Sequence, residues 1–142
     1  MNHIAIIYWS GTGNTEAMAN AVLAGAKSAG AEAELFTVSD ITTAKALEYD
    51  VLALGCPAMG GEVLEENEFE PFFTELESSL NGKKCALFGS YGWGDGQWMR
   101  DWFDRSKAAG ANLLNEGLMV HETPDAAGIA DCEAFGKALA TF

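Results

Sequence analysis

Residues 4–8 form an apolar run that breaks at once into Trp9-Ser10-Gly11-Thr12-Gly13-Asn14-Thr15, and this junction constrains the chain more than any other stretch. A buried strand that ends in a Gly/Ser/Thr loop and then feeds a helix points several backbone N–H groups at one spot. The helix N-terminus adds a preference for negative charge there. Such a junction is a cradle for phosphate. Ser10, Thr12 and Thr15 contribute hydroxyls and Asn14 an amide, but the first Lys or Arg in the chain is Lys27. An anion in this loop is therefore held mainly by neutral donors.

What the loop lacks excludes other phosphate chemistries. A Walker loop needs G-x-x-x-x-G-K-[ST], with a Lys for the terminal phosphates, and that pattern does not fit. A dinucleotide fingerprint begun at Gly11 and Gly13 would put Glu16 where a small residue must let helix and strand approach. A cysteine phosphatase would need Cys and Arg in this loop to attack and clamp the phosphoryl group. Neither is there, so the loop anchors a phosphate and does not transfer it.

The 142 residues match one ordinary domain, expected to span 1–142. Apolar runs predict strands over 3–9, 32–37, 51–56 and 84–90, and a broken one over 112–121. Helical patterns cover 14–29, 69–80, 97–109 and 131–141, with a short helix near 43–47. This alternation predicts an α/β fold, a five-stranded parallel sheet covered on both faces. Gly117 interrupts the fifth strand, which implies a bulge or a close approach. In doubly wound sheets ligands bind beyond the carboxyl ends of the strands, at the switch point.

Composition narrows the function further. No apolar run approaches the roughly 18 residues of a membrane span, and Met1-Asn2-His3 has no basic leader, so a soluble cytoplasmic protein is expected. Cys56, Cys85 and Cys132 form no C-x-x-C pair and sit in apolar contexts, as reduced structural thiols do. A net charge of −13, from 21 acids against 8 bases, excludes sequence-independent nucleic-acid binding. The acids cluster: Glu62, Glu65, Glu66, Glu68 and Glu70 fall within nine residues, so a macromolecular partner is expected to present a basic face.

Two more loops follow strand ends on the same edge of the sheet. Cys56-Pro57-Ala58-Met59-Gly60-Gly61-Glu62 offers a thioether, two glycine peptides and a carboxylate. Ser90-Tyr91-Gly92-Trp93-Gly94 brackets an indole with glycines, leaving its face open and the neighbouring N–H groups exposed. Phosphate donors at one end and a stacking site for a flat, heteroatom-rich ring at the other describe a mononucleotide, and FMN fits best. Trp98 and Trp102, four residues apart on a helix, read as a packing stripe instead.

On these three motifs the chain resembles the short-chain flavodoxins over essentially its whole length. The family pattern [ST]-x-T-G-x-T matches Ser10, Thr12, Gly13 and Thr15, and 55–60 and 89–94 supply the paired loops. The resemblance implies a flavodoxin-like fold with strand order 2-1-3-4-5. It further implies a noncovalent FMN and low-potential one-electron transport between redox proteins such as flavodoxin- or ferredoxin-type oxidoreductases. It carries over Met59 and Trp93 as the side chains flanking the ring, Glu62 as partner of the flavin N3–H and the Gly60-Gly61 peptide as the contact to N5. Backbone near Gly92 and Gly94 faces the pyrimidine. Close relatives commonly carry a short amide where His121 aligns, and often Asp, Ser or Asn where Gly61 stands.

A one-electron carrier is thus the expectation, with a monomer and no membrane or nucleic-acid partner. The alternative is an FMN-dependent quinone or small-substrate reductase of the same fold, which would need a substrate pocket over the flavin edge and an insertion or dimer to build it. A signalling receiver domain would require an acidic residue where Cys56 stands and a Lys at the end of the fifth strand, and fails on both.

Overall fold

The apolar run at the N-terminus becomes the middle of a sheet that is covered on both faces. In the computed structural model, which describes all 142 residues, β1 spans His3–Tyr8 and is buried from Ile4 onward. Parallel to it lie β2 (Glu32–Thr37) on one side and β3 (Val51–Gly55) on the other, followed by β4 (Lys84–Tyr91). The fifth position is shared by β5 (Asn112–Leu113) and β6 (Leu118–His121), both parallel to β4. The order is 2-1-3-4-5, as the resemblance implies, and the switch point lies between β1 and β3.

Alternation along the strands sorts the core into two halves. Ile4, Ile6 and Tyr8 face α1 (Asn14–Ser28) and α5 (Ala126–Ala140), whereas Ala5, Ile7, Leu52 and Leu54 face α3 (Phe69–Glu77) and α4 (Gln97–Ala108). The short α2 (Thr43–Ala46) is capped by the Thr42 hydroxyl, which accepts from Lys45 N. α1 and α5 touch backbone to backbone: a Cβ at Gly25 would run into the Glu133 carbonyl, and one at Gly136 into that of Val22. Trp98 and Trp102 are buried, and Phe69 and Phe73 meet Trp102 edge-on at 5.4 and 5.9 Å, so the stripe is packing. Arg105 ties α4 to α3 through Glu70 (2.7 Å) and Glu77 (2.8 Å).

Three boundaries differ from the sequence expectation. The last helix starts at Ala126, not 131, because Asp125 caps it by accepting from Gly128 N at 2.8 Å. Residues 126–130 carry no amphipathic period to reveal this. The fifth strand is two pieces: β4 advances three residues from Cys85 to Phe88 while the facing chain advances five, from Leu113 to Leu118. Two residues loop out, and Gly117, at φ +105° against the Met99 side chain, makes room for the break. The helix expected over 69–80, α3, ends at Glu77, and the chain continues from there in a turn. The remaining ends shift by a residue: Trp9 and Cys56 lie just beyond their strands, and β4 gains Tyr91.

All three cysteines are free and buried, and burial pushes Cys56 and Cys85 up to about 12 and Cys132 to about 11. They are inert core groups at neutral pH. No helix is long and apolar enough to cross a membrane.

Candidate cofactor site

The loop after β1 enters α1 through Gly13, whose φ of +94° favours glycine. Ala17 bonds back to Gly13 O at 3.0 Å, and the N–H groups of Asn14 and Thr15 in the turn before it have no helical acceptor. Side-chain bonding in this loop occupies acceptors and leaves donors free. Ser10 Oγ accepts from Gly13 N (3.1 Å) and Glu16 N (3.2 Å), so its own O–H is available. Asn14 Oδ1 accepts from Thr123 Oγ1 at 3.1 Å, which leaves its NH₂. Thr12 is exposed and its hydroxyl is unengaged. Thr15 is buried, and its hydroxyl pairs with that of Ser90 at 2.9 Å, so two protons lie on two oxygens and one is left to donate onward. Free donors without a cation fit a phosphate ester.

The loop after β3 runs first along β4, with Ala58 N bonded to Ser90 O at 3.0 Å, and Pro57 and Ala58 half-buried. It then reverses at Met59-Gly60-Gly61-Glu62. Glu62 N donates to Met59 O (2.9 Å), and φ is +81° at Gly61 but not positive at Gly60, which defines a type II turn. Glu62 is itself left-handed at φ +56°, an uncommon state for a residue with a Cβ. Its carboxylate explains why the conformation holds. Oε2 accepts from Trp98 N at 3.2 Å at the start of α4, and Oε1 lies where a Cβ on Gly94 would stand. Glu62 therefore fastens the turn to the loop after β4.

That second ring loop leaves its indole uncovered. Trp93 is 70% exposed, and a Cβ on Gly60 or Gly92 would meet nothing within 4 Å, so there is open space beside both loops. Met59 is half-buried. An open aromatic face beside bare peptides fits a flat ring such as the isoalloxazine of FMN. His121 Nε2 lies 2.6 Å from Gly92 O; a carbonyl only accepts, so the imidazole donates and carries its proton on Nε2. Its ring rests against Tyr91 at 5.0 Å, and the next residue, Glu122, at φ +57°, donates its N–H to Tyr91 O at 2.7 Å. His121 thus holds the backbone of the ring loop.

The acidic run is not the free rim that the sequence suggests. Glu65 is buried and accepts from the N–H groups of Asn67, Glu68 and Phe69 (2.8, 2.7 and 2.9 Å), capping the entry to α3. Burial alone would raise its pKa; the three donors outweigh it and hold the carboxyl below the usual range. Glu70 is lowered by its bonds to Arg105, Glu68 accepts from Trp9 Nε1 at 3.2 Å and Glu62 is engaged as described. Only Glu66 of the five is exposed with no side-chain partner. A count of charges cannot distinguish caps from rim groups, so this was invisible in the sequence.

Two other features escaped sequence reasoning. Thr123 braces Asn14 from across the molecule, with no local signal to announce it. The largest cavity, about 450 Å³, lies between the first loop and the end of β2, lined by Trp9, Gly11, Glu16, Thr37, Ser39 and Glu68 among others, and not between the ring loops. The two glycine loops border an open cleft with exposed walls instead.

Comparison with known proteins agrees with this geometry. The flavodoxin family model matches residues 6–136. The chain is 50% identical to a flavodoxin of Clostridium beijerinckii over 135 residues, 95% of this chain and 97% of that one. It is 49% identical to a flavodoxin of Megasphaera elsdenii over 137 residues, 96% and 98% of the two chains. A solution structure of two-electron reduced Megasphaera elsdenii flavodoxin superposes with a TM-score of 0.89 at 48% identity, covering 98% of this chain and 99% of that one. With these matches, three loops converging on the switch point and a cation-free phosphate cradle, the chain belongs to the flavodoxin family.

Proposed function

We propose how this chain's residues carry out the family's task, which is to bind FMN and carry electrons between redox proteins. When bound, FMN supplies the one-electron chemistry. Backbone N–H groups and the donors of Ser10, Thr12, Asn14 and Thr15, with Gly11 and Gly13 shaping the loop, hold its phosphate. Met59 and Trp93 flank the ring, and Glu62 accepts from its N3–H while fastening the two ring loops. The type II turn presents the Gly60 carbonyl as an acceptor for a proton gained at N5. Pro57, Ala58, Ser90, Tyr91, Gly92 and Gly94 set the backbone around the ring, and His121 orients the Gly92 peptide. Carboxylates and the absence of Lys or Arg from these loops disfavour negative charge on the ring, so the second couple lies well below the first.

The observation that carries this reading is the 70% exposed Trp93 on a glycine loop facing the Gly60-Gly61 turn. An exposed indole flanked by glycine peptides is a stacking surface for a flat ring. For partners, we propose redox proteins with basic docking faces, attracted by the −13 net charge, in a cytoplasm whose reducing conditions suit three free thiols. The test is an anaerobic reductive titration followed by absorption. Two resolved one-electron steps, with a long-wavelength band at half reduction, are expected; direct two-electron bleaching would assign the chain to the reductases instead.

A further inference from the structure

The phosphate loop has a neighbour whose role nothing above explains. Trp9 leaves β1 with its N–H on Gly55 O at 3.0 Å, and its indole turns back over the loop. A Cβ on Gly11 would stand 2.9 Å from indole Cη2 and 3.2 Å from Cζ3, so the ring covers the Gly11 backbone closely. On its other edge Nε1 donates to Glu68 Oε1 at 3.2 Å. Glu68 is itself fixed, because its own N–H donates to the buried Glu65 carboxylate at 2.7 Å and its carbonyl receives Phe72 N at 3.3 Å.

The cavity between this loop and the end of β2 gives the contact its importance. The space of about 450 Å³ on that side is lined by residues 10–13 of the loop as well as by Trp9 and Glu68, so the loop borders a hollow there and Trp9 is a packed neighbour that can hold it. A loop with glycine at 11 and 13 has wide backbone freedom, and neutral donors bind an anion well only when already aimed at it. We infer that Trp9, held by Glu68, is a positioning residue that preorganises the first loop for the phosphate of its ligand. The inference rests on the reading of that loop as the FMN phosphate site. It links phosphate affinity to the entry of α3 through the Trp9–Glu68 bond. The Glu68 charge works against the phosphate, so its retention here is explained by the hydrogen bond it accepts.

Bond and charge make opposite predictions, which separates them. The experiment is titration of the apoprotein with FMN and with riboflavin, for the wild type, Glu68→Gln, Glu68→Ala, Trp9→Phe and the Trp9→Phe/Glu68→Ala double variant. Glu68→Gln keeps an acceptor and loses the charge, so FMN binding is expected to stay within about twofold of wild type or tighten. Glu68→Ala and Trp9→Phe each break the bond and weaken FMN about fivefold, with riboflavin changed less than about twofold. The double variant loses no more than the weaker single variant, because both remove one interaction. Glu68→Ala binding FMN as tightly as wild type, equal losses for both ligands, or additive losses in the double variant would overturn the inference. If the wild type itself fails to prefer FMN over riboflavin, the phosphate assignment fails, a distinct result.

Discussion

The loop proposed to hold the phosphate and the two proposed to hold the ring solve opposite problems. The first, 10–15, is braced on several sides: Ser10 bonds within the loop, Asn14 to Thr123 and Thr15 to Ser90, all leaving a donor proton free, and one face is covered by Trp9. The ring loops are open, with Trp93 exposed, and one of their non-glycine residues, Glu62, holds a positive φ. A phosphate keeps the same charge whatever the redox state of the ring, so its site needs only to be ready. The ring gains electrons and a proton, so its surroundings must differ in affinity between states. Anchoring and tuning are thereby assigned to different strand ends.

The largest effect should come from the anchoring side. Thr12→Ala removes an unengaged hydroxyl from the loop proposed to hold the phosphate and is expected to cost about 1.5–3 kcal/mol of FMN affinity, with riboflavin binding nearly unchanged in fluorescence titration. Equal losses for the two ligands would merge the regions that the comparison separates.

Next comes stability, through a carboxylate belonging to neither site. Glu65→Ala strips three N–H groups of their acceptor and should lower unfolding free energy by about 1–3 kcal/mol in urea. Because its folded pKa is depressed, the contribution of Glu65 is full above the ordinary carboxylate value of about 4.3 and is lost as pH falls through the depressed one. Glu70, lowered by Arg105, acts in the same window and with the same sign. Glu65→Gln should therefore flatten the acid limb of the stability curve; an unchanged limb would remove the cap from the account.

Stacking is smaller. Trp93→Ala should weaken oxidised FMN by about 0.5–1.5 kcal/mol beyond lost area and make the second couple less negative, since the negative face of the indole no longer meets an electron-rich ring. Unaltered affinity would show that Trp93 does not flank it. Smallest is docking: transfer to a basic partner should slow as salt screens attraction over about 8–10 Å, and Glu66→Gln should flatten that slope slightly while Glu65 is left alone. Stopped-flow rates independent of ionic strength would put docking elsewhere.

The alternation of apolar runs made the sheet and its layers legible, because strands buried on both faces leave continuous hydrophobic stretches, whereas the strand order followed only from the family resemblance. The type II turn was legible from Gly60-Gly61, and the break at Gly117 from a glycine inside a strand pattern. The start of α5 was hidden because its signal is one Asp rather than a period. Within the site, the residue types that face a ligand were readable, but not their partners. Trp9 with Glu68, Asn14 with Thr123 and Glu62 with Trp98 join residues 36 to 109 positions apart, and no local pattern encodes such pairs.

The separation of anchoring from tuning is tested most directly by potentiometry on FMN-saturated Gly61→Ala and Thr12→Ala. Alanine at Gly61 has free space around it but must adopt a positive φ, which penalises by up to about 1 kcal/mol the type II turn that the Gly60 carbonyl needs only once N5 has gained its proton on the first reduction. Through about 59 mV per tenfold for one electron, the first couple should move about 40 mV more negative. In Thr12→Ala, weaker binding applies to every redox state and cancels, so both couples should stay at their wild-type values. A shifted first couple in Thr12→Ala, or an unshifted or positive one in Gly61→Ala, would contradict the account.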